Sequence, residues 1–167
     1  EIGGPRASAR VLSHMTAAWE EKGLWEAYRE DFQERFSNKA HVVRPSTHPL
    51  EWYADVYVGQ QAKYYLQDYQ RDEPWFCWVS FGGPHEPWDT PEPYASRYNP
   101  EQMPPPAFRP ADQAPHASGT LDSRYENAPM LEPGDPGAMR ADYAGNVSLI
   151  DAQIGEILCA IAERGEL

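Results

Sequence analysis

One histidine of this 167-residue chain stands in a setting suited to chemistry. His85 belongs to a Gly-Gly-Pro-His-Glu-Pro sequence, residues 82–87, that directly follows the apolar run Trp75–Phe81. That run has no polar alternation, so it predicts a strand buried on both faces, and open α/β sheets bind ligands at the carboxyl ends of their strands. An imidazole there can donate a hydrogen bond to an anion or transfer a proton near neutral pH. A structural role, with the ring bonded to a backbone carbonyl, stays open as the alternative.

The rest of the sequence contains no second motif that predicts a metal site or a nucleophile. Residues 85–89 share only their first two residues with the helical zinc-protease motif, since Asp89 replaces the second histidine and Pro87 would break the helix. Ser80 lacks the Gly-x-Ser-x-Gly context of a nucleophile elbow. The other histidines are scattered and are expected at the surface, at positions His14, His41, His48 and His116.

Composition narrows the classes of partner. The chain has 14 Lys and Arg against 26 Asp and Glu, a net charge of −12, which disfavours nucleic acids and anionic membranes as partners. No apolar stretch is expected to approach the length that spans a bilayer. Six Trp and 10 Tyr argue against a disordered acidic tail. Cys77 and Cys159 lack metal-ligand spacing and are expected as buried free thiols, which leaves the cellular compartment open.

Three helices should surround the predicted strand. Their spans are 19–36, 49–69 and 139–164, with Gly165 as the C-cap of the last. Apolar stripes define the three faces expected in the core: Trp25, Tyr28, Phe32 and Phe36; Ala54, Val58, Ala62, Tyr65 and Tyr69; and Tyr143, Val147, Ile150, Ile154, Ile157 and Ile161. The polar residues of the third helix are expected on a solvated face, namely Asp142, Asn146 and Asp151.

A long proline-rich loop and a missing sheet point to an incomplete domain. Thirteen of the 17 prolines lie between Pro84 and Pro136, which predicts a loop over 84–138, and loops of this length are usually functional or disordered. Only one convincing strand is predicted, and an isolated buried strand leaves its backbone groups unpaired. We therefore expect residues 1–167 to be an internal segment of a larger protein.

Several stretches together resemble the middle of a sulfatase. They are residues 76–87, 91–94, 98–100 and 143–158, of which the Pro-His-x-Pro loop and an Asp-x-Gln-x-Gly helix pattern are the most specific, and the pair Ala54–Asp55 also fits. The related phosphonate monoester hydrolases share this segment. The resemblance implies an α/β fold of the alkaline-phosphatase type, a mixed sheet flanked by helices, of which this chain would be an incomplete part of one catalytic domain.

The resemblance also implies a mechanism and places residues in it. Sulfatases hydrolyse sulfate esters with a formylglycine made from a Cys/Ser-x-Pro-x-Arg motif and with a divalent metal, usually calcium. The histidine of Pro-His-x-Pro contacts the sulfate group and can protonate the leaving oxygen, a role that falls on His85 by motif match. Trp88 and Asp89, which follow it, are expected to border the substrate entrance.

This chain departs from the family pattern in its catalytic parts. It contains no Cys/Ser-x-Pro-x-Arg sequence, so the nucleophile and the metal ligands are expected outside it, and the chain alone is expected to be inactive. Its expected partners are a small-molecule sulfate ester and the remainder of the domain, and a homo-oligomer stays open. The alternatives are a phosphonate or phosphate ester hydrolase of the same fold and a catalytically inactive binding or scaffold protein.

Overall fold

A computed structural model describes residues 11, 13–38, 42–70, 73–105 and 132–167. Four α-helices lie in these ranges: α1, His14–Glu21; α2, Trp25–Asn38; α3, Ala54–Asp68; and α4, Asp135–Glu163. Two short 3₁₀ turns occur at Leu50–Trp52 and Pro100–Gln102. The long helices α3 and α4 pack on each other, while α1 and α2 form a hairpin beside them.

The single helix predicted over residues 19–36 is wrong, because the chain breaks it into α1 and α2. Gly23 has a φ of 71°, a left-handed conformation that favours glycine, and the Leu24 amide donates to the Trp19 carbonyl at 2.8 Å across the break. Ser13 caps the amino end of α1 with its side chain. The break turns α2 back so that the aromatic rings of both helices meet.

A small aromatic core ties the hairpin to α3. Trp19 is 1% exposed and packs with Met15 and Trp25. Its indole nitrogen Nε1 donates to the Trp52 carbonyl at 2.9 Å, which links α1 to the turn that precedes α3. The hairpin therefore holds the start of α3 in place.

Helices α3 and α4 approach closely at glycine, and the residues they bury differ in part from the predicted apolar stripes. A Cβ atom on Gly59 of α3 would lie 2.6 Å from Oε1 of Gln153 on α4. At Gly145, α4 approaches the irregular segment as closely, since a Cβ there would lie 2.5 Å from the Tyr94 carbonyl oxygen. Such close approach selects small side chains for the interface. The predicted α4 stripe is therefore wrong in part, and Tyr143, Val147 and Ile154 are exposed.

Helix α4 differs from two expectations, one about its polar residues and one about its length and hydrophobicity. Asp142 and Asn146 are buried, whereas Asp151 is exposed as predicted. By length and composition alone α4 could cross a membrane, contrary to the expectation that no stretch approaches that length, although core helices of soluble proteins meet the same criterion. Its carboxyl end is the predicted glycine cap: Gly165 has a φ of 73°, and its amide donates to the Ala162 carbonyl at 2.9 Å.

The segment predicted as a doubly buried strand is extended but unpaired. Among the described residues there is no β-strand, and Phe76 and Trp78 are 86% and 81% exposed. Their neighbours Cys77 and Val79 are half-buried, so only one side of the segment packs. A strand needs a neighbouring strand to cover its backbone groups, and the described ranges supply none. Both cysteines are free, and Cys159 is exposed rather than buried.

The proline-rich region begins as predicted and ends earlier. Residues 84–105 form an irregular segment with one 3₁₀ turn, and the last predicted loop residues, 135–138, already belong to α4. Residues 106–131 lie outside the described ranges, as do His41 and His116.

Candidate functional site

A cleft of about 260 Å³ lies between the α1–α2 hairpin, the start of α3 and the loop that carries His85. Aromatic rings and carboxylates share its wall. The wall includes Trp19, Tyr28, His48, Tyr53, Asp55, His85, Glu86 and Asp89. The structure thus brings two of the three predicted site residues, His85 and Asp89, to one cleft.

His85 lies at this cleft with its side chain 73% exposed. Its Nδ1 atom is 3.0 Å from the carbonyl oxygen of Glu86 and 3.1 Å from that residue's carboxylate Oε2. Both neighbours are acceptors, so Nδ1 acts as the hydrogen-bond donor to Glu86, and Nε2 is the ring nitrogen left to contact a substrate. Sequence reasoning did not identify Glu86 as the residue that orients the ring.

Asp55, in the first turn of α3, holds the backbone just before His85. Its Oδ1 accepts from the Gly82 amide at 2.7 Å and from the Gly83 amide at 3.2 Å, and Oδ2 also lies 3.2 Å from the Gly83 nitrogen. A Cβ on Gly83 would lie 2.0 Å from Asn146 Oδ1, so only glycine fits there. Asp55 is 2% exposed, and one sequence signal pointed to it, the Ala54–Asp55 pair that fits the family resemblance.

Asp89 is a buried residue of the cleft wall and not an exposed residue at an entrance. It is 6% exposed, and the Tyr53 hydroxyl donates to its Oδ1 at 3.2 Å. Asn146 Nδ2 donates to the same hydroxyl at 3.0 Å, which connects α4 to this network. Burial raises the pKa of Asp89 to about 7, against the lowering effect of the Arg35 guanidinium. Burial therefore favours the neutral carboxylic acid of Asp89.

Trp88 takes no part in the cleft wall. Its ring packs near Tyr143 of α4, with centroids 6.4 Å apart, while its backbone carbonyl accepts from Arg35 Nη1 at 3.3 Å. Arg35 is fully buried, pairs with Asp31 at 2.6 Å and also donates to the Val42 carbonyl. This arginine fastens the loop to α2, which no sequence pattern indicated.

Thr90, two residues after Trp88, fastens the loop to α4. The Thr90 amide donates to Asp142 Oδ1 at 3.1 Å, and the Thr90 hydroxyl lies 3.0 Å from Oδ2 of the same carboxylate. Burial raises the pKa of Asp142, while these bonds from Thr90 act in the opposite direction. Asp55, Arg35 and Asp142 thus hold the segment on both sides of His85.

His48 is a residue of the cleft wall that was wrongly expected at the surface. It is 5% exposed, and its ring lies edge-on to Trp19 at 4.3 Å and to Tyr28 at 5.4 Å between centroids. Burial lowers its pKa to about 4, so the imidazole is neutral at pH 7. Nδ1 lies 3.1 Å from the Thr47 hydroxyl, whereas Nε2 is buried without a hydrogen-bond partner.

The carboxylates around the cleft do not form a metal site. Within the described ranges no group of three or more His, Cys, Asp or Glu side chains could hold a metal ion. Asp55 faces two amides and Asp142 faces Thr90, so these two buried carboxylates already have N–H and O–H donors.

Comparison with known proteins places the chain in a family. The model of the Sulfatase family matches residues 8–167. The chain is 27% identical over 138 residues to the "Multifunctional alkaline phosphatase superfamily protein PehA" of Trinickia caryophylli, covering 74% of this chain and 26% of that protein. It is 28% identical over 121 residues to the "Arylsulfatase" of Clostridium perfringens (strain 13 / Type A), covering 72% of this chain and 24% of that protein.

The chain thus spans about a quarter of the length of the curated relatives it matches. The family match nevertheless runs through the whole described region, including the His85 loop, α3 and α4. The chain belongs to the sulfatase family.

Proposed function

We propose that the protein containing these residues hydrolyses sulfate esters, and that His85 binds the sulfate group and protonates the leaving oxygen. The observation that carries the proposal is the orientation of His85: an exposed imidazole whose Nδ1 faces two oxygens of Glu86. Such a ring presents Nε2 to a substrate. Membership of the sulfatase family supports a hydrolase and implies the alkaline-phosphatase-like fold.

The reaction adds water across the ester. The sulfur–oxygen bond to the alcohol breaks, and the departing alkoxide takes a proton from Nε2 of His85. Water supplies the new oxygen on sulfur and returns one proton to the imidazole, while a second proton is released as the product ionises to sulfate. Before the bond breaks, the charged imidazole also stabilises the anionic oxygens of the ester.

The remaining machinery is proposed to lie in other parts of the protein. Sulfatases generally use a divalent metal, which we expect to be calcium, and the proposed nucleophile is a formylglycine from a Cys/Ser-x-Pro-x-Arg motif that this chain lacks. The other strands of the mixed sheet are proposed to cover Phe76 and Trp78. These 167 residues alone are therefore expected to be inactive.

A phosphonate or phosphate ester hydrolase is the second candidate. The relative from Trinickia caryophylli carries "alkaline phosphatase superfamily" in its name, and phosphate and sulfate esters present similar anionic oxygens to an imidazole. An inactive binding or scaffold protein would instead lack the nucleophile motif in the complete sequence.

The test replaces His85 with alanine in the full-length protein. With para-nitrophenyl sulfate as substrate, we expect kcat/KM to fall by about 10²–10⁴-fold, the usual contribution of a positioned acid. His14→Ala, at an exposed histidine of α1, is the matched control and should leave the rate unchanged. Unchanged kinetics in the His85 variant would refute its role, and faster hydrolysis of the corresponding phosphonate ester by the wild type would favour the second candidate.

A further inference from the structure

We propose that Glu86 determines the charge of the anion bound at His85, because its carboxylate disfavours doubly charged anions relative to singly charged ones. Glu86 occupies the variable position of the Pro-His-x-Pro motif, so the family resemblance assigns it no role. The inference rests on the proposed function, since it takes an anion to bind at His85 and adds the charge that this anion carries. It is carried by the position and the neighbours of the Glu86 carboxylate.

The Glu86 carboxylate lies close to any anion that His85 binds. Its Oε2 is 3.1 Å from Nδ1 of the ring, while Nε2 is the nitrogen left to contact a substrate. The two ring nitrogens are about 2 Å apart and a hydrogen bond adds about 3 Å, so an anion oxygen on Nε2 lies at most about 8 Å from Oε2. This distance does not exceed the Debye length at physiological ionic strength, so dissolved ions screen the repulsion only in part.

Of the three carboxylates that the structure places in the cleft wall, Glu86 is the one whose charge can act on a ligand. Asp55 and Asp89 are buried, whereas the Glu86 side chain is 38% exposed. Two glycine amides bond to Asp55, and burial raises the pKa of Asp89 to about 7, which favours its neutral form. Among the described residues no Lys or Arg forms an ion pair with Glu86, so His85 is the cation that offsets its charge there.

The anions of ester hydrolysis differ by one unit of charge. A sulfate ester carries one negative charge and the sulfate product carries two, so repulsion by Glu86 weakens the binding of product more than that of substrate. A phosphate monoester carries close to two charges at neutral pH and is disfavoured in the same way. Coulomb's law at about 8 Å, with an effective dielectric constant of about 30–80, gives about 2- to 10-fold in affinity for each unit of anion charge. Glu86 therefore promotes release of sulfate and selects singly charged esters.

The experiment compares sulfate with methanesulfonate as inhibitors of the full-length protein acting on para-nitrophenyl sulfate. Both anions present oxygens on sulfur, but sulfate carries two charges and methanesulfonate carries one. Glu86→Gln removes the carboxylate charge and keeps an acceptor oxygen for Nδ1 of His85. We expect this variant to shift the ratio of the two inhibition constants by about 2- to 10-fold in favour of sulfate. Glu86→Asp, which keeps the charge, and Glu101→Gln, at an exposed position of the same irregular segment, are the controls and should keep the wild-type ratio.

Two outcomes overturn the inference while leaving the proposed function intact. One is an unchanged ratio in Glu86→Gln, and the other is equal weakening of both anions, because Glu86 would then act only by orienting the ring. If Glu86→Gln does not fold, Glu86→Ala removes the same charge and keeps the backbone carbonyl that faces Nδ1, so the same ratio decides. If no sulfate ester is hydrolysed, the proposed function fails, and calorimetric titration with the two anions measures the ratio directly. Failure of both anions to bind would then overturn the inference as well.

Discussion

Removal of the Asp55 carboxylate should release the backbone that positions His85. The Gly82 and Gly83 amides both donate to this carboxylate, at 2.7 and 3.2 Å. A hydrogen bond to a charged group contributes about 1.5–3 kcal/mol, so two would contribute about 3–6 kcal/mol. Gly82 is exposed and water can replace its bond in Asp55→Ala, which leaves an expected loss of about 2–4 kcal/mol in the free energy of unfolding.

The same variant should reduce activity through the geometry of the loop. A loss of about 2–4 kcal/mol corresponds to about 30- to 900-fold if it is expressed wholly in the transition state, so we expect kcat/KM to fall by between about 10- and 1,000-fold. Asp55→Asn keeps one acceptor oxygen, so its stability and its kcat/KM should lie between those of Asp55→Ala and of the wild type. Denaturant unfolding and steady-state kinetics of the full-length protein measure the two effects.

A matched control separates this effect from the loss of any carboxylate on the same helix. Asp68→Asn, at an exposed position near the end of α3, should change neither stability nor rate. The reasoning fails if Asp55→Ala loses less than about 0.5 kcal/mol and keeps the wild-type kcat/KM. It also fails if Asp68→Asn is as damaging, because the carboxylate would then act through the helix and not through the glycine amides.

Two further predictions concern burial and close packing. The folded state binds the Asp89 proton more tightly than the unfolded chain does. The contribution of Asp89 to the free energy of unfolding is therefore most favourable below pH 3.8, and it falls by at most about 4 kcal/mol as the pH rises to about 7. Asp89→Asn should remove that slope from unfolding measured between pH 4 and 8, and curves parallel to wild type would contradict the assignment. Gly83→Ala should destabilise by about 1–3 kcal/mol, because its Cβ would overlap Asn146. On α4, a Cβ at Gly155 would meet no atom within 4 Å, so Gly155→Ala should stabilise the folded protein by up to about 1 kcal/mol. Equal shifts of the melting temperature in the two variants would refute this argument.

Local patterns predicted α3 and α4 but missed the break at Gly23, and they identified only some of the buried faces. The stripe Trp25, Tyr28 and Phe32 packs inward as expected, since the hairpin is short and its neighbours are close in sequence. On α4, Tyr143 and Val147 belong to the stripe that was predicted to be buried, yet both are exposed. Periodicity identifies an apolar face, but the partner helix decides which face is covered.

The sequence by itself determined the family, the position of the His85 loop and the end of α4 at Gly165. These properties reside in short stretches, where motif, periodicity and cap residues act locally. Only the tertiary structure decided which groups surround the loop. Asp55 reaches Gly82 across 27 residues and Asn146 reaches Tyr53 across 93, and His48 becomes buried only because two aromatic rings close over it. Burial and hydrogen bonding depend on such distant neighbours, which no local pattern records.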